Sequence, residues 1–261
     1  MAAGLAHVAA TESPIFAYSL RLADTALVLG HRLSQWSHRA PTLEEDIALS
    51  NLGLDLIGQA RSFYQHAADV EGAGRDEDQL AYLRDAPDWR NPLIVELPIG
   101  DFAFTMMRHF LFSAWCLPFY RALTGSSDVQ LAAIAAKAEK EMAYHLRHAS
   151  EWVIRLGDGT QESATRVSQA LDALWPYTGE MFELTPAEQT LLANGISVDH
   201  ETLRPQFSTT IRDVLSQATL TVPPADGFQH SGGLRGQHTE HLGLMLAEMQ
   251  FLQRAYPGAT W

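Results

Sequence analysis

The chain has 261 residues, of which 46% are hydrophobic and 19% charged, a composition sufficient for a substantial buried core. Its formal net charge of -13 argues against nucleic acid as a partner, because proteins that bind DNA or RNA normally present a basic face. The single cysteine, Cys116, cannot form an internal disulfide, so a reducing cytoplasm is the expected compartment.

The sequence shows neither a secretory signal nor a membrane-spanning segment. The N-terminal stretch MAAGLAHVAATESP has no basic region and no sustained apolar run, so no signal peptide is predicted. The most apolar segment, FAFTMMRHFLFSAWCLPFY, is interrupted by Arg108 and His109. This pattern predicts a buried helix and no contact with a membrane.

Helical spacing of apolar residues dominates the first part of the chain. The predicted helices lie at about 13–38, 42–71, 78–84, 101–123 and 128–156. Thr42 followed by Glu45 is a capping-box pattern that opens the second helix. Between the third and fourth helices, residues 85–101 form a loop whose length is typical of functional or partner-binding segments.

The remainder is also predicted to be helical, but more broken. Further helices are expected at about 162–182, after the Thr185 cap, at 199–220 and at 236–255. Only LTVPP, residues 220–224, resembles a strand, and it is short and ends in prolines. Four long helices in this order predict an all-α fold, a four-helix bundle core with additional peripheral helices, as a single domain over residues 1–261.

Such bundles are the usual hosts of carboxylate-bridged di-iron sites, which need a Glu from two helices and Glu-x-x-His from the other two. No Glu or Asp in this sequence has a His three residues later. In KAEKEMAYHLRHASEW, residues 137–152, Tyr144 stands where the motif starting at Glu141 needs its histidine. The sequence therefore predicts a di-iron architecture without metal ligands and without catalytic residues.

Four blocks of the sequence carry a resemblance to a known family. They are TLEEDIALSNLGLDLIGQAR, LPIGDFAFTMMRHFLFSAW, KAEKEMAYHLRHASEWVIRLGDGT and GQHTEHLGLMLAEMQFLQRAYPG. From about Ser13 to the C-terminus, the chain resembles the structural, C-type subunits of multicomponent phenylacetyl-CoA epoxidases (Paa complexes), which belong to the ferritin-like superfamily.

The resemblance implies a non-catalytic, ferritin-like subunit that pairs with and stabilises a homologous di-iron catalytic subunit. It also implies a small bridging subunit and a reductase that carries FAD and an iron–sulfur cluster. Such complexes epoxidise the aromatic ring of phenylacetyl-CoA with O₂ and NADPH in aerobic phenylacetate degradation. This chain would then hold no cofactor of its own. The resemblance leaves open whether this chain and the catalytic subunit share a site for phenylacetyl-CoA.

Six residues are candidates for a vestigial metal pocket. In this hypothesis a lysine ammonium replaces the charge of the metal and pairs with an aspartate from a facing helix, since buried charges persist only when paired. The candidates are Lys137, Lys140, Asp24, Asp55, Glu141 and His145. The alternative is a solvated charged helix face with a hydrogen-bonded Tyr and His in the core.

The segment HSGGLRGQHTEHLG, residues 230–243, places a Gly-rich loop before a predicted helix start. Its candidate residues are Arg235, His238, Glu240 and His241. A helix N-terminus with a Gly-rich backbone and an arginine can bind a phosphate, here one of coenzyme A. Docking onto the catalytic subunit and a simple capped helix are the alternatives.

Two functions from other classes remain open at this stage. One is an active metallo-oxidase that uses Glu141, His145 and His148 in a non-standard arrangement. The other is a stand-alone ferritin-like storage protein. Both predict iron in the purified chain, and the absent motif argues against both.

Overall fold

The computed structural model describes residues 13–224 and 226–259. Over these ranges the chain is built from α-helices and short 3-10 turns and has no strand, so the predicted all-α class is confirmed. The stretch 1–12, for which no signal peptide is predicted, lies outside the described residues. In the described part of the chain, no helix is long and apolar enough to cross a membrane.

Four long helices form the core, and shorter helices surround them. The first, α1, packs chiefly on α2, and α5 packs chiefly on α6. The helices of the described residues are α1 Pro14–Ser34, α2 Leu43–Glu71, α3 Glu77–Tyr82, α4 Leu93–Glu96, α5 Phe102–Leu123, α6 Val129–Gly157, α7 Gln161–Leu174, α8 Pro186–Leu192, α9 Arg204–Gln217, α10 Glu240–Met249 and α11 Phe251–Ala255.

Side-chain caps fix where the core helices begin. Thr42 accepts a hydrogen bond from the backbone N–H of Glu45, as the capping-box pattern predicts, and Asp101 and Asp128 cap α5 and α6 in the same way. At the other end of α2, Gly72 adopts a φ of 64°, a conformation that glycine enters without a steric penalty. The bounds of these helices are therefore set locally.

The central helix of the molecule is α5. All of its residues from Thr105 to Tyr120 are buried, which agrees with the prediction of a buried apolar helix. It is covered by α6, α7 and α9. Cys116 lies within it, buried and reduced.

The approach of α1 to α2 is set by glycine. A Cβ added at Gly53 would lie 3.0 Å from Ser34 Oγ and 3.3 Å from the carbonyl oxygen of Gly30. A glycine inside a helix costs about 1 kcal/mol relative to alanine, and here the cost is offset by closer packing of two long helices.

Two predicted helices end earlier than expected. The first stops at Ser34 instead of residue 38 and is followed by turns in which His38 has a φ of 66°. The helix predicted for residues 162–182 is α7 followed by two 3-10 turns. Pro176 interrupts it because proline cannot donate the backbone hydrogen bond that continues an α-helix.

The later part of the chain is also more broken than its periodicity suggests. The helix predicted for 199–220 begins as a 3-10 turn and becomes α9 at Arg204. The last helix begins at Glu240 and not at Gly236, because Gly236 has a φ of 77° and ends a 3-10 turn. The strand-like LTVPP is irregular.

Candidate functional site

The candidate pocket residues of the bundle fall into three separate groups. The first surrounds Asp24 of α1, which is fully buried. Its carboxylate accepts hydrogen bonds from Tyr64 Oη at 2.6 Å, from Arg84 Nη1 at 3.1 Å and from the backbone N–H of Arg90 at 2.9 Å. Arg84 Nη2 contacts the same carboxylate, so the pair is bidentate.

The charges of this group are mutually stabilised. Burial alone would lower the pKa of Arg84, but the charge of Asp24 and its hydrogen bonds raise that pKa above its ordinary value. Burial and the charge of Asp24 raise the pKa of Tyr64 well above 10.0. Arg84 therefore remains positive and Tyr64 neutral, and both donate to Asp24.

This arrangement corrects the lysine hypothesis. The cation beside Asp24 is the guanidinium of Arg84, which follows α3 and is buried. Lys137 is exposed and lies 3.4 Å from Glu141 on its own helix, and Lys140 is exposed. The reason is geometric: from the outer face of α6, a lysine side chain keeps its ammonium group in water at a lower free-energy cost than it would need to reach a buried carboxylate.

The second group joins α2, α5 and α6. His145 Nε2 of α6 lies 3.2 Å from Asp55 Oδ2 of α2. The ring of His145 lies 5.1 Å from the ring of His109, which is fully buried on α5. Neither ring nitrogen of His109 has a hydrogen-bond partner among the described residues.

The third group contains no imidazole. Gln59 of α2 donates to Glu141 at 2.9 Å and accepts from Tyr120 Oη at 3.1 Å. Its members come from α2, α5 and α6, as in the second group. The sequence-predicted residues Asp55, Glu141 and His145 therefore lie on facing helices, whereas the carboxylate of Asp24 is hydrogen-bonded to other residues.

The donor set does not fit a di-iron centre. Such a centre needs carboxylates from four helices and two histidines that face one space. Here Asp24 is saturated by Arg84 and Tyr64, and Glu141 is bound to an amide. Among the described residues, no group of three or more His, Cys, Asp or Glu side chains is placed to hold a metal ion.

The buried imidazole of His109 gives a pH-dependent expectation. Burial, followed by the neighbouring His145, His148 and Arg108, lowers its pKa well below 6.5. The unfolded chain therefore binds a proton at about pH 6.5 that the folded chain excludes, and stability falls as the pH drops below this value.

We expect this histidine to cost about 1.4 kcal/mol of unfolding free energy between pH 7.5 and pH 5.5. Urea unfolding measures the decrease in unfolding free energy between the two pH values. This decrease should be smaller by that amount in His109→Phe than in the wild type. His38→Asn, an exposed substitution compatible with the positive φ of that residue, is the control. Equal losses in all three proteins would contradict the expectation.

The Gly-rich loop after residue 230 binds a carboxylate of the chain itself. Glu180 is fully buried, and its Oε1 accepts from the backbone N–H groups of Gly232 at 2.7 Å and Leu234 at 3.2 Å. Its Oε2 accepts from the N–H of Leu93 at 2.7 Å. Burial raises the pKa of Glu180, and these N–H donors oppose that rise.

The start of α10 is likewise occupied by an internal anion, Glu96. Its Oε1 accepts from the backbone N–H of Thr239 at 2.6 Å and from Thr239 Oγ1 at 2.8 Å. Its Oε2 lies 2.9 Å from Asn91 Nδ2 and 2.7 Å from His238 Nδ1. The donors that the sequence assigned to a phosphate are therefore used by Glu180 and Glu96.

The four candidate residues of this segment have different environments. His238 is nearly buried, and its Nε2 faces the carbonyl oxygen of Trp89 at 3.0 Å. Arg235 is exposed and pairs with Glu183 at 3.0 Å. Glu240 is exposed, and His241 is half-buried.

The glycines of the loop serve close packing. A Cβ at Gly233 would lie 2.3 Å from the carbonyl oxygen of Asn91, and one at Gly236 would lie 2.2 Å from that of Pro87. The loop 85–101 is thus pressed against residues 232–239.

The roles of Glu96, Glu180 and Arg84 were not predicted from the sequence. No local spacing identifies a carboxylate or guanidinium whose partner lies more than 50 residues away in the chain.

The family of the chain follows from its similarity to known proteins. Residues 2–261 match the family described as Phenylacetic acid catabolic protein. The chain belongs to this family. This member of the phenylacetic acid catabolic protein family is 48% identical over 245 residues to the C subunit of 1,2-phenylacetyl-CoA epoxidase from Escherichia coli (strain K12), covering 94% of this chain and 98% of that protein. The family resemblance drawn from the sequence is confirmed.

Proposed function

We propose that this chain is the non-catalytic structural subunit of a phenylacetyl-CoA epoxidase in aerobic phenylacetate degradation. In this role it pairs with a homologous di-iron catalytic subunit and stabilises it. The similarity to the E. coli epoxidase subunit over 94% of the chain supports the assignment to an epoxidase.

The observation that carries the non-catalytic role is the internal neutralisation of Asp24. In the di-iron architecture, carboxylates in the bundle core are neutralised by metal. Here Asp24 is neutralised by Arg84 and hydrogen-bonded by Tyr64, so the bundle needs no metal to bury it. The group of Gln59, Tyr120 and Glu141 is likewise satisfied within the chain.

The remaining components of the proposed complex follow from the same assignment. Oxygen chemistry would belong to the di-iron subunit, and electrons would come from NADPH through a reductase with FAD and an iron–sulfur cluster. The complex would also contain a small bridging subunit and would act in the cytoplasm. Contact between this chain and bound phenylacetyl-CoA is not part of the proposal, because the donors expected for its phosphates bind Glu96 and Glu180.

Reconstitution tests the proposal. The di-iron subunit, expressed with and without this chain, is assayed for soluble yield and for phenylacetyl-CoA epoxidation with the reductase and NADPH. We expect both to be lost without this chain and restored when it is added. Full activity of the di-iron subunit alone would overturn the structural role.

Metal analysis of this chain, expressed alone with iron supplied, separates the rival functions. The structural role predicts essentially no bound iron. Stoichiometric, tightly held iron would favour a metallo-oxidase that uses Glu141, His145 and His148. Iron uptake by a large homo-oligomer would favour a storage protein.

A further inference from the structure

The turn after α8 contains the pair Asn194 and Gly195 and ends that helix in a Schellman motif. The backbone N–H of Ile196 donates to the carbonyl oxygen of Leu191 at 3.0 Å, and that of Gly195 donates to Leu192 at 3.0 Å. Gly195 has a φ of 67°, the left-handed conformation that this motif requires. The fold therefore places an asparagine directly before a glycine in a tight turn.

Both residues of this pair are exposed. A Cβ added at Gly195 would have Ser127 Oγ, 3.9 Å away, as its nearest neighbour, so the space around this residue is open. The side-chain amide of Asn194 is held weakly, with Nδ2 donating to the carbonyl oxygen of Thr190 at 3.3 Å. Water and the neighbouring backbone nitrogen can therefore reach the amide carbon of Asn194.

An asparagine followed by glycine can cyclise without an enzyme, because glycine has no Cβ to obstruct attack by its own nitrogen. The backbone nitrogen of Gly195 forms a bond to Cγ of Asn194, and the bond from Cγ to Nδ2 breaks. Nδ2 leaves as ammonia with the proton of the attacking N–H. Water then opens the succinimide at either carbonyl and gives aspartate or isoaspartate.

The other two asparagines of the chain lack these conditions. Asn51 is exposed but lies inside α2, and the next backbone nitrogen belongs to Leu52, whose side chain is buried. Asn91 is buried and precedes Pro92, which has no N–H to give up. Sequence and fold together therefore single out Asn194.

The turn is fastened to the residues before α6 by three hydrogen bonds. Ser127 donates from its backbone N–H to the carbonyl oxygen of Gly195 at 2.9 Å, and from its Oγ to that of Asn194 at 2.9 Å. Ser126 Oγ donates to the carbonyl oxygen of Ile196 at 2.7 Å. The residue that follows Ser127 caps α6, so these contacts hold the entry into a core helix.

Conversion to isoaspartate moves all three acceptors. The main chain then runs through the former side chain, which lengthens the turn by a methylene group. The carbonyl group of Asn194 becomes a free carboxylate, and the carbonyl oxygens of Gly195 and Ile196 shift relative to Ser126 and Ser127. The product also adds a negative charge to a chain whose formal net charge is already -13.

We propose that Asn194 is a site of spontaneous deamidation, and that its isoaspartyl form releases the turn after α8 from the residues before α6. The reaction consumes water and needs no other co-reactant. It proceeds when the turn opens, because the N–H of Gly195 is hydrogen-bonded to Leu192 in the folded chain. Exposed turns open locally at a low free-energy cost, so the folded protein is itself the substrate.

Ageing of the purified full-length chain at mildly alkaline pH tests the modification. Released ammonia is measured, peptide mapping by mass spectrometry locates the conversion of amide to acid, and enzymatic carboxyl methylation detects isoaspartate. We expect conversion at Asn194 and none at Asn51 or Asn91. Two aspartates, Asp158 and Asp226, also precede glycine, but ring closure there expels water and leaves mass and charge unchanged.

Two variants and the unfolded chain complete this test. Asn194→Gln keeps an exposed amide but would have to close a larger ring, so it should release no ammonia over the same interval. Ser127→Ala removes a hydrogen bond to the turn and should speed the conversion of Asn194. The chain unfolded in urea gives the rate without the fold. Conversion in urea, with an intact amide in both the folded wild type and Ser127→Ala, would overturn the proposal.

Hydrogen exchange tests the release of the turn. The backbone N–H of Ser127 should exchange faster in the isoaspartyl form, enriched by chromatography, than in the unaged chain. Asn194→Asp adds the charge without lengthening the backbone and should keep this N–H protected. Unchanged exchange of Ser127 in the isoaspartyl form would overturn the release. Equal acceleration in Asn194→Asp would assign the effect to charge and overturn the role of the longer backbone.

Discussion

Replacing Asp24 by alanine is expected to lower the free energy of unfolding by about 3–5 kcal/mol, the usual cost of removing one partner of a buried ion pair. Arg84 would lose its counter-ion while still buried, and Tyr64 Oη would lose its acceptor at 2.6 Å. The backbone N–H of Arg90 would lose a hydrogen bond as well. Because these donors come from α2 and from the segment after α3, the loss affects how both pack on α1.

Urea unfolding at pH 7 measures this effect. Asp69→Ala removes an exposed carboxylate of α2 and should change stability by no more than about 0.5 kcal/mol. The double variant Asp24→Ala/Arg84→Met removes both charges and should recover a substantial part of the loss, since no buried charge is left unpaired. A loss below about 1 kcal/mol in the single variant, or a double variant less stable than the single one, would show that the pair does not hold this region.

Replacing Glu96 by alanine is expected to destabilise the protein by about 3 kcal/mol or more, because four groups lose this acceptor at once. They are the amide of Asn91, the backbone N–H and the hydroxyl of Thr239, and the ring of His238. These contacts join the loop 85–101 to the start of α10. We therefore expect faster proteolysis after residue 230 in this variant, in addition to a lower midpoint of urea unfolding.

The control for Glu96 is Glu240→Ala, which removes an exposed carboxylate from the first residue of α10. It should leave both measurements nearly unchanged. Proteolysis of Glu96→Ala at the wild-type rate would mean that the carboxylate does not anchor the C-terminal helices.

The pH dependence of His238 offers a second test of the Glu96 contact. Burial disfavours the charged ring, but the hydrogen bond and charge of Glu96, with the carbonyl of Trp89, outweigh it and raise the pKa of His238 above 6.5. The contribution of protonated His238 to the stability of the fold is complete below pH 6.5 and is lost as the pH rises through the raised pKa. His238→Gln should therefore cost more stability at pH 6 than at pH 9.

The sequence by itself determined the local features of this protein. The 3.6-residue spacing of apolar residues predicts the four core helices, and Thr42, Asp101 and Asp128 cap three of them. The absence of a Glu-x-x-His motif is also a local property, because the motif is defined by residues three apart on one helix. The apolar spacing, the caps and the motif can be recognised in the sequence because helix geometry fixes which residues lie within one or two turns of each other.

Only the tertiary structure decided which charges meet. Asp24 and Arg84 are 60 residues apart, and Glu96 and His238 are 142 apart. Periodicity places each of them on a helix or in a loop but does not specify a partner at that distance. One hypothesis from the sequence pairs a lysine with Asp24 or Asp55, whereas the fold supplies Arg84 for Asp24 and His145 for Asp55. The Gly-rich loop shows the same limit: its free N–H groups mark an anion site in the sequence, and only folding brings Glu180 into it. Buried charge must be neutralised by whatever the packed chain places nearby, and that is a property of the whole fold.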